Sequence, residues 1–431
     1  MLHENLGINE KGRLTFAGAD AVLLAEKYGT PLMLLDEDRI RRNIRRYKEA
    51  LLECFGEGSF PLFASKALCF KGIYRLAKEE GIGMDAVSVG ELYTAKTAGF
   101  DLSKAYFHGN NKTDADIAYA VENGVGAFVV DNADELLALE AYLASANKKQ
   151  DILLRITPGI DPHTHKAIVT GSVDSKFGSA IETGQAEEIT RLALSLPHIV
   201  LKGFHCHVGS QIFDIEPFTE AADIMLRFIA YIAAETGYTA EVLNLGGGLG
   251  VKYVEGQPEL DYAAVVRDMA AVIKLRASVI GCALPRILLE PGRSLVADAG
   301  VTLYTVGSVK TIKGYKSYVS VDGGMPDNPR YALYEAPYTV LLASKASAKA
   351  DFICSVVGRC CESGDILQEN VNLPKPVRGD ILAVLCTGAY NYAMASNYNR
   401  IPRPAVVWVK EGEDRLAIRR ESFEDMTRLE V

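Results

Sequence analysis

Short apolar runs alternate with amphipathic stretches through most of the chain. The runs are Phe60–Ala64, Gly83–Ser88, Ala105–His108, Ala127–Asp131, Asp151–Ile156, Leu201–His207, Glu241–Leu245 and Arg286–Glu290. Each is short enough for a strand, and the stretches between them space their apolar residues as helices do. Eight such units between about residue 56 and residue 300 match the count and length of a (β/α)8 barrel. Ahead of them, Glu37–Phe55 sets Ile40, Ile44, Tyr47 and Leu51 on one side of a helix, with a basic face outward. Asp20–Tyr28 predicts a short helix, Gly29-Thr30-Pro31 a break, and the segment from Gly12 to Phe16 a lone strand.

The pattern changes after Gly300. Val301–Lys310, Lys316–Asp322, Tyr338–Leu342, Asp351–Val357, Asp380–Leu385, Ala405–Lys410 and Arg415–Arg419 are short, β-branched and bounded by turns or charge. They predict an antiparallel β domain, a sandwich or barrel, which the N-terminal strand joins. The expected division is therefore a barrel over residues 36–300 and a β domain from residues 1–35 and 301–431.

Length agrees with two domains, since 431 residues exceed one ordinary core. Apolar content of 48% and charged content of 23% describe a globular protein with ample core material. A net charge of −9 without a basic stripe argues against a nucleic-acid surface. The segment Met1-Leu-His-Glu-Asn-Leu-Gly7 has neither a basic nor an apolar leader region, and no apolar run suffices to span a bilayer. Eight scattered cysteines with no CxxC pair fit free thiols in a reducing cytoplasm, and metal is set aside.

In a (β/α)8 barrel the chemistry collects at the C-terminal ends of the strands. Those ends carry Lys66, Asp85 and Ser88, His108 and Asn110, Asp131, Arg155, His205 and His207, Asn244, and Glu290. Lys66 by itself reads as a solvated loop residue; the company of an amine, three imidazoles, a guanidinium and several carboxylates changes that. After the seventh strand, Gly246-Gly247-Gly248 lets backbone N–H groups approach an anion, where an isolated glycine run would be a plain turn. His205 and His207 face one way if the strand continues, which suits zinc less well than a ring-stacking imidazole with Ser210 on a phosphate. Glu290-Pro291-Gly292-Arg293 ends the eighth strand, and a carboxylate there would keep a pyridine nitrogen protonated beside an electron-sink cofactor.

Several ordered motifs extend this set: Ala64-Ser-Lys66-Ala67, His108-Gly-Asn-Asn-Lys112, Asp174-Ser-Lys-Phe-Gly178, Asp322-Gly-Gly-Met325, Asp327-Asn-Pro-Arg330, Ala332-Leu-Tyr334, Cys361-Glu362-Ser-Gly-Asp365 and Gly388-Ala-Tyr390. With them the chain resembles the pyridoxal-phosphate enzymes that pair an alanine-racemase-like barrel with a β domain, and most closely the diaminopimelate decarboxylase family. The resemblance runs from Gly29-Thr30-Pro31-Leu32 to the tail. Ser65 stands where many members carry valine, and Tyr331 where proline often follows the arginine.

The resemblance implies pyridoxal 5′-phosphate as cofactor and decarboxylation of meso-2,6-diaminopimelate to L-lysine, the last step of lysine biosynthesis. It implies Lys66, Cys361, His207 and Glu290 as the catalytic set. Lys66 would hold the cofactor, His207 stack on its ring, Glu290 face the ring nitrogen, and Cys361 donate a proton. Asp85, Arg155, Ser210, Gly246, Gly247, Gly248, Gly292, Arg293 and Tyr390 would complete the cofactor's contacts. Arg293, Arg330, Tyr334, Glu362 and Tyr390 would read the substrate, and the Cys361-Glu362 segment would serve a neighbouring subunit in a homodimer.

Related readings are weighed on the same residues. A racemase of this fold weakens its electron sink with an arginine, so Glu290 argues against one. A decarboxylase of the ornithine, arginine or carboxynorspermidine type is the alternative; it needs acidic groups for a distal ammonium, whereas Arg293 and Arg330 suit a distal carboxylate. A catalytically dead binding protein would typically have lost Lys66 or the glycine run.

Overall fold

The computed structural model describes residues 1–160 and 175–431. The chain divides into two compact units, one of Asn43–Gly250 with Leu260–Gly292, the other of Met1–Arg42, Val251–Glu259 and Arg293–Val431.

The first unit is a parallel (β/α)8 barrel. Its strands, in order, are Leu62–Ala64, Gly83–Ala86, Ala105–Phe107, Ala127–Val130, Gln150–Thr157, Ile199–His205, Val242–Asn244 and Arg286–Leu288. Each pairs in parallel with the next, and a bridge between Pro61 and Leu289 closes the ring. Burial explains the continuous apolar runs, because strands covered on both faces have no polar side to show. Leu62, Val129, Leu153, Val242 and Leu288, from five different strands, pack together as fully buried residues. A two-residue strand, Ser179–Ala180, adds to the edge of the fifth strand.

The sixth strand shifts register between Leu201 and Gly203 against its neighbour. Gly203 allows this: a Cβ there would lie 1.9 Å from the Val242 carbonyl oxygen of the seventh strand. Beyond the shift, His205 stands directly opposite Asn244. That register sets up the site.

In the second unit, the strands run in the order Ile366–Leu373, Phe352–Val357, Lys316–Val321, Gly300–Ile312, Leu32–Asp36, Ala405–Lys410, Glu413–Ile418. Ile381–Leu385 and Val340–Leu342 add to it through Gly300–Ile312. The sheet is mixed rather than purely antiparallel, since Lys316–Val321 pairs in parallel with Phe352–Val357, and Leu32–Asp36 with Ala405–Lys410. The N-terminal strand that enters it is Leu32–Asp36, every residue of which is buried, as a central strand requires. Leu14–Phe16 is not a lone strand; it forms a separate three-stranded sheet with Leu6–Ile8 and Ala19–Asp20. No helix among the described residues is long and apolar enough to cross a membrane.

Candidate active site

Lys66 follows the first barrel strand in a single 3-10 turn, Ser65–Ala67, closed by Leu68 N–H donating to Ser65 O at 3.1 Å. Ser65 and Ala67 are buried, so the turn is anchored on both sides while the Lys66 side chain stays exposed at the strand ends. Gly292 lies against this strand, and a Cβ on it would come within 2.9 Å of Ala64 Cβ.

The next ends supply charge. Asp85 is buried, and burial raises its carboxyl pKa against the pull of His108; Glu290 also pushes it up, while Lys66 and Arg155 draw it down. Its Oδ1 has no hydrogen-bond partner among the described residues. Arg155, half-buried on the fifth strand, has its pKa lowered by burial, while the charges of Asp131, Glu290 and Asp85 oppose the shift. Its guanidinium lies 4.4 Å from the centre of the Phe177 ring. Asp131 accepts Gly178 N–H at 3.1 Å, holding the returning chain against the barrel. Asp174, the first residue of that motif, lies outside the described residues.

Glu290 is the best-supported side chain of the set. Asn244 Nδ2 donates to its Oε1 at 2.7 Å, His108 Nε2 lies 2.8 Å from the same oxygen, and His205 Nε2 lies 3.1 Å from Oε2. Burial opposes its charge, yet the imidazoles of His108 and His205 outweigh that and hold the carboxyl well below the ordinary range. A ring nitrogen placed here would meet an anion.

His207 does not join His205. Strand pairing stops at His205, so alternation no longer holds both rings on one side. His207 is half-buried, and burial, reinforced by the charges of Lys66 and Arg155, pushes its pKa well below the usual value. An uncharged flat ring is what stacking on an aromatic cofactor needs. His205 instead faces His108 and Glu290, and these three offer ligand atoms within 4.8 Å of one another. Spacing along one strand could not reveal that group, because its members come from three strand ends.

The glycine run has a packing cause as well as room for an anion. A Cβ on Gly247 would lie 2.1 Å from Glu290 O, and one on Gly246, at φ +70°, 2.7 Å from Cys206 O. Backbone alone fits between the sixth and eighth strand ends, leaving a cradle of main chain. Ser210, in the segment that leaves the sixth strand after His205, is half-buried.

Lys112 secures the His108 loop. Its ammonium is buried and donates to Gly109 O at 3.0 Å, Val129 O at 3.0 Å and Glu135 Oε1 at 2.8 Å, and Glu135 Oε2 accepts Asp131 N–H at 3.0 Å. Removing one member of a buried pair leaves the other uncompensated. Lys112→Met is expected to destabilise the barrel by about 3–5 kcal/mol, read as a lower urea midpoint. Adding Glu135→Leu should recover most of the loss; additive losses in the double variant would show that the two groups act separately.

In the second unit, Arg293, Arg330 and Tyr390 come together around two tyrosines that the sequence did not mark. Arg293 Nη1 donates to Tyr253 Oη at 3.0 Å, and its guanidinium sits 4.8 Å from the Tyr390 ring centre. Arg330 Nη1 donates to Tyr338 Oη at 2.8 Å and sits 4.9 Å from the Tyr253 ring centre. Arg330 is buried, and among the described residues its partners are phenols rather than carboxylates. Such a guanidinium keeps its charge for a visiting anion. Tyr334 is half-buried at the end of the short helix Arg330–Tyr334. Cys361 and Glu362 are exposed on a loop pinned by Asp365, which accepts Cys360 N–H and Met325 N–H, each at 2.7 Å.

Comparison with known proteins bears on this geometry. Residues 37–297 match the family model of the pyridoxal-dependent decarboxylase, pyridoxal binding domain. Diaminopimelate decarboxylase of Bacillus subtilis (strain 168) is 46% identical over 430 residues, covering 100% of this chain and 98% of that protein. The crystal structure of diaminopimelate decarboxylase from M. jannaschii in complex with L-lysine aligns at a TM-score of 0.91 with 34% identity, covering 100% of this chain and 98% of that one. The Helicobacter pylori enzyme, also complexed with L-lysine, aligns at 0.86 with 32% identity over 95% of this chain and 98% of that one. The buried unpartnered Asp85 oxygen, the glycine cradle and the ionised Glu290 all fit pyridoxal 5′-phosphate, the cofactor of these enzymes. The chain belongs to the diaminopimelate decarboxylase family of pyridoxal-dependent decarboxylases.

Proposed function

We propose that this protein decarboxylates meso-2,6-diaminopimelate to L-lysine and CO2, the last step of lysine biosynthesis, with pyridoxal 5′-phosphate as cofactor. The observation that carries the reading is the buried Glu290 at the barrel's strand ends, its carboxylate met by Asn244, His108 and His205. When bound, the cofactor supplies a protonated pyridine ring that takes up the electron pair left by departing CO2. Glu290 holds the proton on that ring nitrogen. Lys66 would hold the cofactor through its ε-amine. His207 would pack on its ring, while Ser210 and the backbone of Gly246, Gly247 and Gly248 would hold its phosphate. Asp85, Arg155, Gly292, Arg293 and Tyr390 complete the contacts.

On the substrate side, Arg330 and Arg293 with Tyr334 and Tyr390 bind the distal carboxylate, and Glu362 the amine beside it. An ornithine-type substrate, with no distal carboxylate, would leave Arg330 buried among phenols without an anion. Cys361 donates the proton that replaces CO2. Exposure of Cys361 and Glu362 on a pinned loop supports their serving the neighbouring subunit of a homodimer. Eight free thiols support a reducing, cytoplasmic setting.

Glu290→Gln tests the carrying observation. Glutamine keeps the shape but not the charge, so the variant should bind the cofactor and lose turnover by roughly 10²–10³-fold, the scale of one preorganised electrostatic contact. Turnover near the wild-type value would remove Glu290 from this role.

A further inference from the structure

Glu290 is held by more than an ion pair needs, and the arrangement begins in the strand register. His205 and Asn244 stand opposite each other on the sixth and seventh strands, and Asn244 stands opposite Leu288 on the eighth. Both side chains reach the carboxylate two residues past Leu288, Asn244 Nδ2 at 2.7 Å from Oε1 and His205 Nε2 at 3.1 Å from Oε2. The Asn244 amide is oriented by its other end, because its Oδ1 accepts Gly246 N–H at 2.9 Å. Gly246 O in turn accepts the Glu290 N–H at 2.7 Å. One turn therefore fixes both the main chain and the side chain of Glu290.

His205 is fully buried, and burial brings its pKa down to about 4 despite the facing carboxylate, so the ring is uncharged at neutral pH. Its Nδ1 has no hydrogen-bond partner among the described residues, and its Nε2 faces Glu290, so the single ring proton belongs on Nε2. His108 lies at the same carboxylate, the charge of Arg155 acts on Glu290, Asp85 interacts with both His108 and Glu290, and the His207 ring beside them is uncharged. Uncharged donors at hydrogen-bond distance solvate an anion without cancelling its field, as a lysine or arginine in the same place would.

We propose that Asn244 and His205 are positioning residues, which fix the Glu290 carboxylate through two uncharged N–H donors and leave its negative charge for the cofactor's ring nitrogen. The last clause rests on the function proposed above; the fixing of the carboxylate does not.

The test is a carboxyl-¹³C titration of Glu290 in full-length apoenzyme labelled at glutamate, with Glu290→Gln identifying the resonance. In the wild type the signal should remain that of an ionised carboxylate to below the ordinary glutamate midpoint of about 4.3. Asn244→Asp retains the acceptor for Gly246 N–H, removes the donor and adds a like charge, and should raise the Glu290 midpoint by about one unit or more. His205→Phe keeps a ring without a donor and should shift it the same way, while His205→Gln, with its amide N–H, should restore much of the wild-type value. Pyridoxal-phosphate affinity of the same variants, followed by absorbance, should weaken with the same ranking. An ordinary or raised midpoint in the wild type overturns the proposal, and so does an unmoved midpoint in folded Asn244→Asp and His205→Phe. If both variants fail to fold, the wild-type midpoint decides alone. Glu290→Gln with unaltered turnover would overturn the ring-nitrogen reading while leaving the apoenzyme titration to judge the clamp.

Discussion

Lys66→Ala is expected to give a folded protein that takes up pyridoxal phosphate without the borohydride-reducible visible absorbance and without turnover. The fold should survive because Lys66 is exposed while its neighbours Ser65 and Ala67 hold the turn from buried positions. Surface substitutions of that kind move stability by about 0.5 kcal/mol or less. Activity should fall by at least about 10²–10⁴-fold, the scale on which one positioned proton-transferring group acts, before counting the lost tether. Lys66 is the amine at a strand end whose charge acts on both Asp85 and His207, residues placed around the same mouth. A full-strength reducible chromophore in the variant would assign the attachment to another lysine.

Arg330→Ala and Glu362→Ala are each expected to cripple activity on diaminopimelate while the cofactor still binds. Arg330 is buried with its guanidinium aligned by Tyr338 and stacked near Tyr253, a preorganised fork for a carboxylate. Leaving a buried substrate carboxylate unpaired costs roughly 2–5 kcal/mol. That is a loss in kcat/KM of about 30- to 5,000-fold. Arg330→Lys should recover little, since an ammonium cannot offer the same two-pronged contact. For Glu362 the decisive form of the experiment is complementation. Inactive Lys66→Ala subunits mixed with inactive Glu362→Ala subunits should regain CO2 release once exchange into mixed dimers is proven, because one complete site is rebuilt. Proven mixed dimers without recovery would mean that each site is made by a single chain.

The sequence carried the fold where burial writes a periodic signal, and lost it where pairing is decided across the chain. Ile40, Ile44, Tyr47 and Leu51 are all buried, as their helical spacing requires. All eight barrel strands fall on the apolar runs, since strands covered on both faces cannot hide their character. Ile366–Leu373 escaped notice because Gln368, Glu369, Asn370 and Asn372 are poor strand formers, and Asn370 sits at φ +55° beside an irregular register. Parallel pairing of Leu32–Asp36 with Ala405–Lys410 was equally invisible, as the partners lie at opposite ends of the chain.

The candidate site divides along the same line. Strand ends could be read one at a time, which located Lys66, Asp85, Arg155, His207 and Glu290. Which of them touch could not, because contact depends on register between strands. His108, His205 and Asn244 converge on Glu290 through the glycine at 203 and the bridge from Asn244 to Gly246. Tyr253 and Tyr338 carry no motif, and their meaning lies entirely in the two arginines they align.

CO2 release from the purified, pyridoxal-phosphate-loaded protein reports the reaction itself. Offered meso-diaminopimelate, ornithine, arginine and lysine in parallel, the enzyme is expected to release CO2 from diaminopimelate with L-lysine as the other product, and little from the rest. A preference for ornithine, arginine or lysine, or no release from diaminopimelate by protein that carries its cofactor, would rule out this reaction as the protein's own.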